Sequence, residues 1–84
     1  MYKVEWKKEA LKGLDKIDRA KAKKIKLEVD TVLAKDPYKK SKPLKGNLKG
    51  LRRFRFSDCR VIYQVKQSKL LIIVVEVAHR REIY

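Results

Sequence analysis

Leu51–Val65, LRRFRFSDCRVIYQV, decides how this chain folds. Successive side chains on a strand face opposite sides, so Leu51, Arg53 and Arg55 point one way and Arg52, Phe54 and Phe56 the other. Ser57 and Asp58 read as a two-residue turn. The hairpin then pairs Phe56 with Cys59, Arg55 with Arg60 and Phe54 with Val61. One face carries two apolar rows; the other carries Arg53, Arg55 and Arg60. Like charges opposite each other destabilise a strand pair by about 0.2–1 kcal/mol. A chain that tolerates the cluster is built for a polyanion. A turn one residue longer would send Arg60 to the core side, because register and facing are linked.

Working outward, Leu70–Ala78, LLIIVVEVA, is an apolar run broken by Glu76. It suits a central strand covered on both faces. Lys66–Lys69 makes the turn before it. Upstream, Tyr38–Gly50, YKKSKPLKGNLKG, has no clean period and reads as a basic loop. It carries Lys39, Lys40, Lys42, Lys45 and Lys49. At the N-terminus Tyr2, Val4 and Trp6 alternate with Lys3 and Glu5 as a short strand. From Lys7 the period becomes helical, with Ala10, Leu14 and Ile17 at i, i+4, i+7 and Leu11 beside them. Gly13 weakens that helix by about 1 kcal/mol relative to Ala. Asp15 or Asp18 caps a second helix, with Ala22, Ile25, Val29, Val32 and Leu33 on one side. Asp36-Pro37 ends it.

The predicted order is β-α-α-β-β-β. The fold class is α+β: an N-terminal strand and a two-helix hairpin packed on a mainly antiparallel four-stranded sheet. The 84 residues form a single domain, 1–84, which buries roughly 60–65% of its unfolded surface. Lys and Arg number 24 against 10 Asp and Glu, a formal charge of +14. That excess calls for an anionic partner: nucleic acid, an acidic protein or a membrane surface. The basic residues do not line a helix face opposite bulky apolar ones, so no membrane partner is expected. The longest apolar run is too short to span a bilayer. The lone Cys59 forbids an internal disulfide, and the charged N-terminus is unlike a signal peptide; a cytoplasmic location is expected.

Several chemistries fall away. One His and one Cys, twenty positions apart, supply no zinc site on this reading, and no metal or cofactor is expected. Gly46–Gly50 lacks the ending of a phosphate-binding loop. Metal-free RNA cleavage remains. The ribose 2′-hydroxyl attacks the adjacent phosphorus, a base takes its proton, an acid protonates the leaving oxygen, and cations stabilise the pentacovalent state. Arg53, Arg55, Arg60 and Arg80 can form the cationic cradle. Lys45 and Lys49 lie in the basic loop as further RNA contacts. His79 is the side chain with a reference pKa near neutrality. Tyr84 can stack on a base or donate a proton. Each has a plainer reading: Arg60 as the ion-pair partner of Asp58 or Glu76, Arg53 and Arg55 as backbone-phosphate contacts, His79 as a solvent-facing strand end.

EALKGLDKI, PLKGNLKGLRRFRFSDCRVIYQV and VVEVAHRREIY together resemble the RelE/ParE toxin superfamily, above all its RelE branch, over nearly the whole chain. The resemblance implies the toxin of a type II toxin–antitoxin pair. It implies a metal-independent endoribonuclease that cuts messenger RNA on the ribosome and inhibits translation, held by an acidic, RelB-like antitoxin. By position, Arg60 takes the role of stabilising the transition state, Arg80 a role at the leaving group, and Tyr84 that of packing on or orienting the substrate. Arg53 and Arg55 stand where studied members carry two lysines, one proposed as the base. Arginine keeps its proton to about pH 12 and is a poor base. Three readings follow: His79 is the base, orientation and charge carry the reaction, or the chain cleaves weakly. The ParE branch shares the fold, targets DNA gyrase and generally lacks the full RNase set. A catalytically silent RNA-binding module is the remaining alternative.

Overall fold

The computed structural model describes residues 1–79. Strand β1 (Lys3–Trp6) leads into helix α1 (Lys8–Asp15) and helix α2 (Arg19–Glu28), which continues as a π-helical turn over Val29–Leu33. Strands β2 (Ser41–Pro43), β3 (Arg52–Phe56), β4 (Cys59–Lys66) and β5 (Leu71–His79) follow. They form one sheet in the order β1-β5-β4-β3-β2. β1 runs parallel to β5, and the other pairings are antiparallel.

The α+β class and the helical hairpin over a mainly antiparallel sheet agree with the sequence reading. Among the described residues the sheet has five strands rather than four, because part of the basic loop pairs: Ser41 with Phe54, Lys42 with Arg53 and Pro43 with Arg52. A three-residue strand with a proline and a lysine shows no apolar alternation, and those residues suit a sheet edge. The β3–β4 register is as expected, with Ser57-Asp58 as the loop and Arg55 opposite Arg60. β5 is central, between β1 and β4.

The core lies between helices and sheet. Ala10, Leu14, Ile17, Ile25, Val29 and Leu33 meet Phe54, Cys59, Val61, Tyr63, Ile72, Val74 and Val77. Leu11, expected on the apolar stripe, is 44% exposed. Asp18 is the residue that caps α2, accepting from the Lys21 backbone N–H at 3.3 Å. α1 lies along β5 beyond the end of β1, and Gly13 rests against the Val77 carbonyl.

Tyr63 is fully buried and donates its hydroxyl to the Pro37 carbonyl, which also accepts from Ser41 Oγ at 2.9 Å. Burial pushes the phenol pKa up. Tyr63→Phe keeps the ring and leaves Pro37 one donor, so it should cost about 1 kcal/mol. Tyr63→Ala should cost about 3–5 kcal/mol. Urea denaturation of the two variants checks the ratio.

β4 and β5 depart from regular pairing at one place. Ile62 pairs with Glu76, but Tyr63 pairs with Val74, so Val75 is an extra residue on β5. Such a bulge interrupts the alternation of facing. Ile72 and Val74 face the helices, and strict alternation would send Glu76 there too. The bulge returns Val77 to the core and turns Glu76 to the opposite face, beside Arg60.

Candidate functional site

The face of the sheet away from the helices carries Lys42 on β2, Arg53 and Arg55 on β3, and Arg60 on β4. Arg55 is exposed; Arg53 and Arg60 are half-buried. Arg60 borders a groove of about 460 Å³ with Ile62, Glu76 and Ala78. Glu9 and Lys12 of α1 and Lys16 at its C-cap also line it, as do Leu48 and Leu51 from the loop before β3. Lys45 and Lys49, both exposed, flank the 3-10 turn Gly46–Leu48 that contributes Leu48. The groove therefore sets three cations, Lys12, Lys16 and Arg60, against the carboxylates Glu9 and Glu76.

Arg60 Nη2 donates to Glu76 Oε1 at 3.0 Å. Its Nε is buried and has no acceptor among the described residues. One Nη of the guanidinium is thus fixed by a carboxylate, which sets the orientation of Arg60 on the open face. The ion-pair reading of Arg60 and its place on the open face thus hold together. Arg52 is separate from this cluster. Its Nε donates to Ser41 Oγ at 2.8 Å, its Nη2 to Ser41 O at 3.2 Å, and it lies over the Tyr38 ring at 5.1 Å, fastening β2 to β3.

His79 does not join the arginines. It pairs across the sheet with Cys59, on the helix-facing side, whereas its neighbour Ala78 pairs with Arg60 on the open side. His79 Nε2 lies 2.8 Å from Asp58 Oδ2, and Lys21 Nζ lies 2.7 Å from Asp58 Oδ1. The Lys21 hydrogen bond, aided by Asp58's own backbone N–H and by His79, holds the Asp58 carboxyl well below the usual range against the opposing effect of desolvation. Burial pushes the Cys59 thiol up, and Asp58 adds to this. Arg80 and Tyr84 lie outside the described residues.

Sequence reasoning named Glu76 only as a possible ion-pair partner of Arg60, and missed Lys12 and Lys16 as parts of the site. Glu76 was legible as a break in an apolar strand, but its facing depends on the bulge. The two lysines sit four apart, on α1 and at its C-cap, a spacing that marks one helix face; nothing in the sequence ties that face to the sheet's far side.

A family model described as the ParE toxin of the type II toxin–antitoxin system parDE matches residues 4–84. The chain belongs to this family and is the toxin component of a toxin–antitoxin system. Among solved structures it resembles the toxin–antitoxin complex RelBE2 from Mycobacterium tuberculosis, at 23% identity, 94% of this chain and 98% of that one, TM-score 0.90. The archaeal RelE–RelB complex from Pyrococcus horikoshii OT3 matches at 27% identity and TM-score 0.73, over 94% of both chains. A copper-bound mutant toxin from Helicobacter pylori matches at 26% identity and TM-score 0.66, over the full length of both. No curated protein matches by sequence.

Proposed function

We propose that this toxin is a metal-independent endoribonuclease that cuts messenger RNA on the ribosome, in the cytoplasm, and is held in check by an acidic, RelB-like antitoxin. The observation that carries the reading is Arg60 at a groove on the open face, flanked by Arg53 and Arg55 and hydrogen-bonded to Glu76.

In this scheme Arg60 binds the non-bridging phosphate oxygens and stabilises the charge that grows as the 2′-oxygen attacks phosphorus. The base must take the 2′-hydroxyl proton within the same groove. Arginine cannot do so, and His79 faces the other side of the sheet. Of the groove carboxylates Glu9 and Glu76, the one in hydrogen-bond contact with Arg60, Glu76, takes that role in this scheme. The P–O5′ bond then breaks, leaving a 2′,3′-cyclic phosphate on one fragment, and the departing 5′-oxygen takes a proton from water to become a 5′-hydroxyl, while the 2′-hydroxyl proton stays on Glu76 until solvent removes it. Arg80, at the leaving group, and Tyr84, against the base, complete the scheme by family position. Lys45, Lys49, Arg53 and Arg55 hold the RNA backbone, and binding should weaken steeply with salt.

The test is purified protein added to translating ribosomes. New mRNA 3′ ends should appear, and Arg60→Ala should slow their formation about 10²–10³-fold, as loss of a preorganised donor does elsewhere. Undiminished cutting by Arg60→Ala would overturn the assignment. The second reading, gyrase inhibition without RNA cleavage, is favoured by the ParE description of the matching family model. Stalled supercoiling with messages left intact would select it.

A further inference from the structure

We propose that Asp58, Cys59 and His79 form a divalent-metal site on the helix-facing side of the sheet, apart from the Arg60 groove, selective for zinc-like ions. Twenty positions separate Cys59 from His79 in sequence, which argued against a shared ion. The fold removes that argument, because the two are cross-strand partners at the β4–β5 end and Asp58 immediately precedes Cys59 in the turn. One carboxylate oxygen, the Cys59 Sγ and a ring nitrogen of His79 all lie within 4.8 Å of one another. Cys59 Sγ is 3.6 Å from Asp58 Oδ1, and His79 Nε2 is 2.8 Å from Asp58 Oδ2.

The donor set suits the ion. One thiolate, one imidazole and one carboxylate are ligands zinc accepts, at about 2.3 Å for sulfur and about 2.0–2.2 Å for nitrogen and oxygen. Tetrahedral ligands at those bond lengths sit roughly 3.3–3.7 Å apart, so closing the triangle takes a shift on the order of 1 Å. Asp58 retains 35% side-chain exposure and His79 19%, which leaves a path for the ion and for a water as fourth ligand. Cys59 is 3% exposed, so the thiolate would be shielded from competing solvent. On binding, the Cys59 proton leaves to solvent, and the Asp58–His79 hydrogen bond is exchanged for two bonds to the metal. Lys21 keeps Asp58 Oδ1 and orients the carboxylate from behind, as outer partners of metal ligands do. The ion would fasten the last residue of β5 to the start of β4 without contributing to the chemistry on the opposite face.

Cobalt(II) added to the untagged full-length toxin should give a thiolate-to-cobalt charge-transfer band at one equivalent per chain. Zinc should displace it and raise Tm on the order of 10 °C at a hundredfold excess over Kd. Cys59→Ser should abolish the band, His79→Gln should weaken binding at least tenfold, and Glu76→Gln, on the other face, should leave it intact. Circular dichroism identifies any variant that fails to fold. Should Cys59→Ser do so, reaction of the wild-type thiol with a thiol reagent gives the same answer: zinc should protect it. A folded protein with no band, a band that survives His79→Gln unchanged, or a thiol equally reactive with and without zinc overturns the site.

Discussion

Gly13→Ala should destabilise this toxin by at least about 3 kcal/mol, although alanine is the better helix former by about 1 kcal/mol. A Cβ at position 13 would sit 1.9 Å from the Val77 carbonyl oxygen and 2.9 Å from its carbon. Both atoms are backbone in the central strand, so no side chain can swing aside. α1 would have to retreat from β5, withdrawing Ala10 and Leu14 from the core. Overpacking costs about 1–3 kcal/mol where side chains can adjust; here the obstruction is main chain. A domain this size has on the order of 4–13 kcal/mol of stability in total. Tm should therefore fall by more than about 10 °C, read by thermal denaturation. An unchanged Tm would show that α1 does not approach β5 this closely. The same retreat would carry Lys12 and Lys16 away from the groove, so at permissive temperature a partly folded variant should also bind RNA less well.

Position 13 also shows where the sequence ceases to be legible. Helix propensity gives the cost of glycine, but the reason for it lies across the interface, in a strand sixty residues on. The hairpin could be read because its information is local: alternation through Leu51–Phe56 and a two-residue turn fix the register of every pair. The centrality of β5 was legible from its apolar run. β2 was not, because an edge strand of Ser-Lys-Pro needs only main-chain partners and shows no pattern. The bulge at Val75 was hidden for a different reason. VVEV reads equally well with or without an extra residue, yet the face on which Glu76 emerges depends on it. Placing His79 among the arginines failed on the same ground: the arginines lie on the open face with Ala78's register, and His79 is one residue out of phase. Arg60, by contrast, came out where the hairpin put it.

Glu76→Gln should lower RNA cleavage about 10²–10⁴-fold, the contribution a positioned base makes, while leaving RNA binding as tight or tighter. The two readouts must diverge for a physical reason. The Glu76 carboxylate lies 3.0 Å from Arg60 and is a negative charge where a phosphate is to sit. The amide removes that repulsion and can still accept from Arg60 Nη2, so ground-state binding gains. It cannot take a proton from a 2′-hydroxyl, so the rate falls. Were Glu76 only a counter-ion to Arg60, the amide would keep the hydrogen bond and remove the opposing charge, and cleavage would hold or increase along with binding. Single-turnover cleavage with translating ribosomes, alongside RNA binding measured for the same variant, separates the two roles. A variant that binds and cuts as well as the parent would remove Glu76 from the chemistry and leave catalysis to orientation and cationic charge alone.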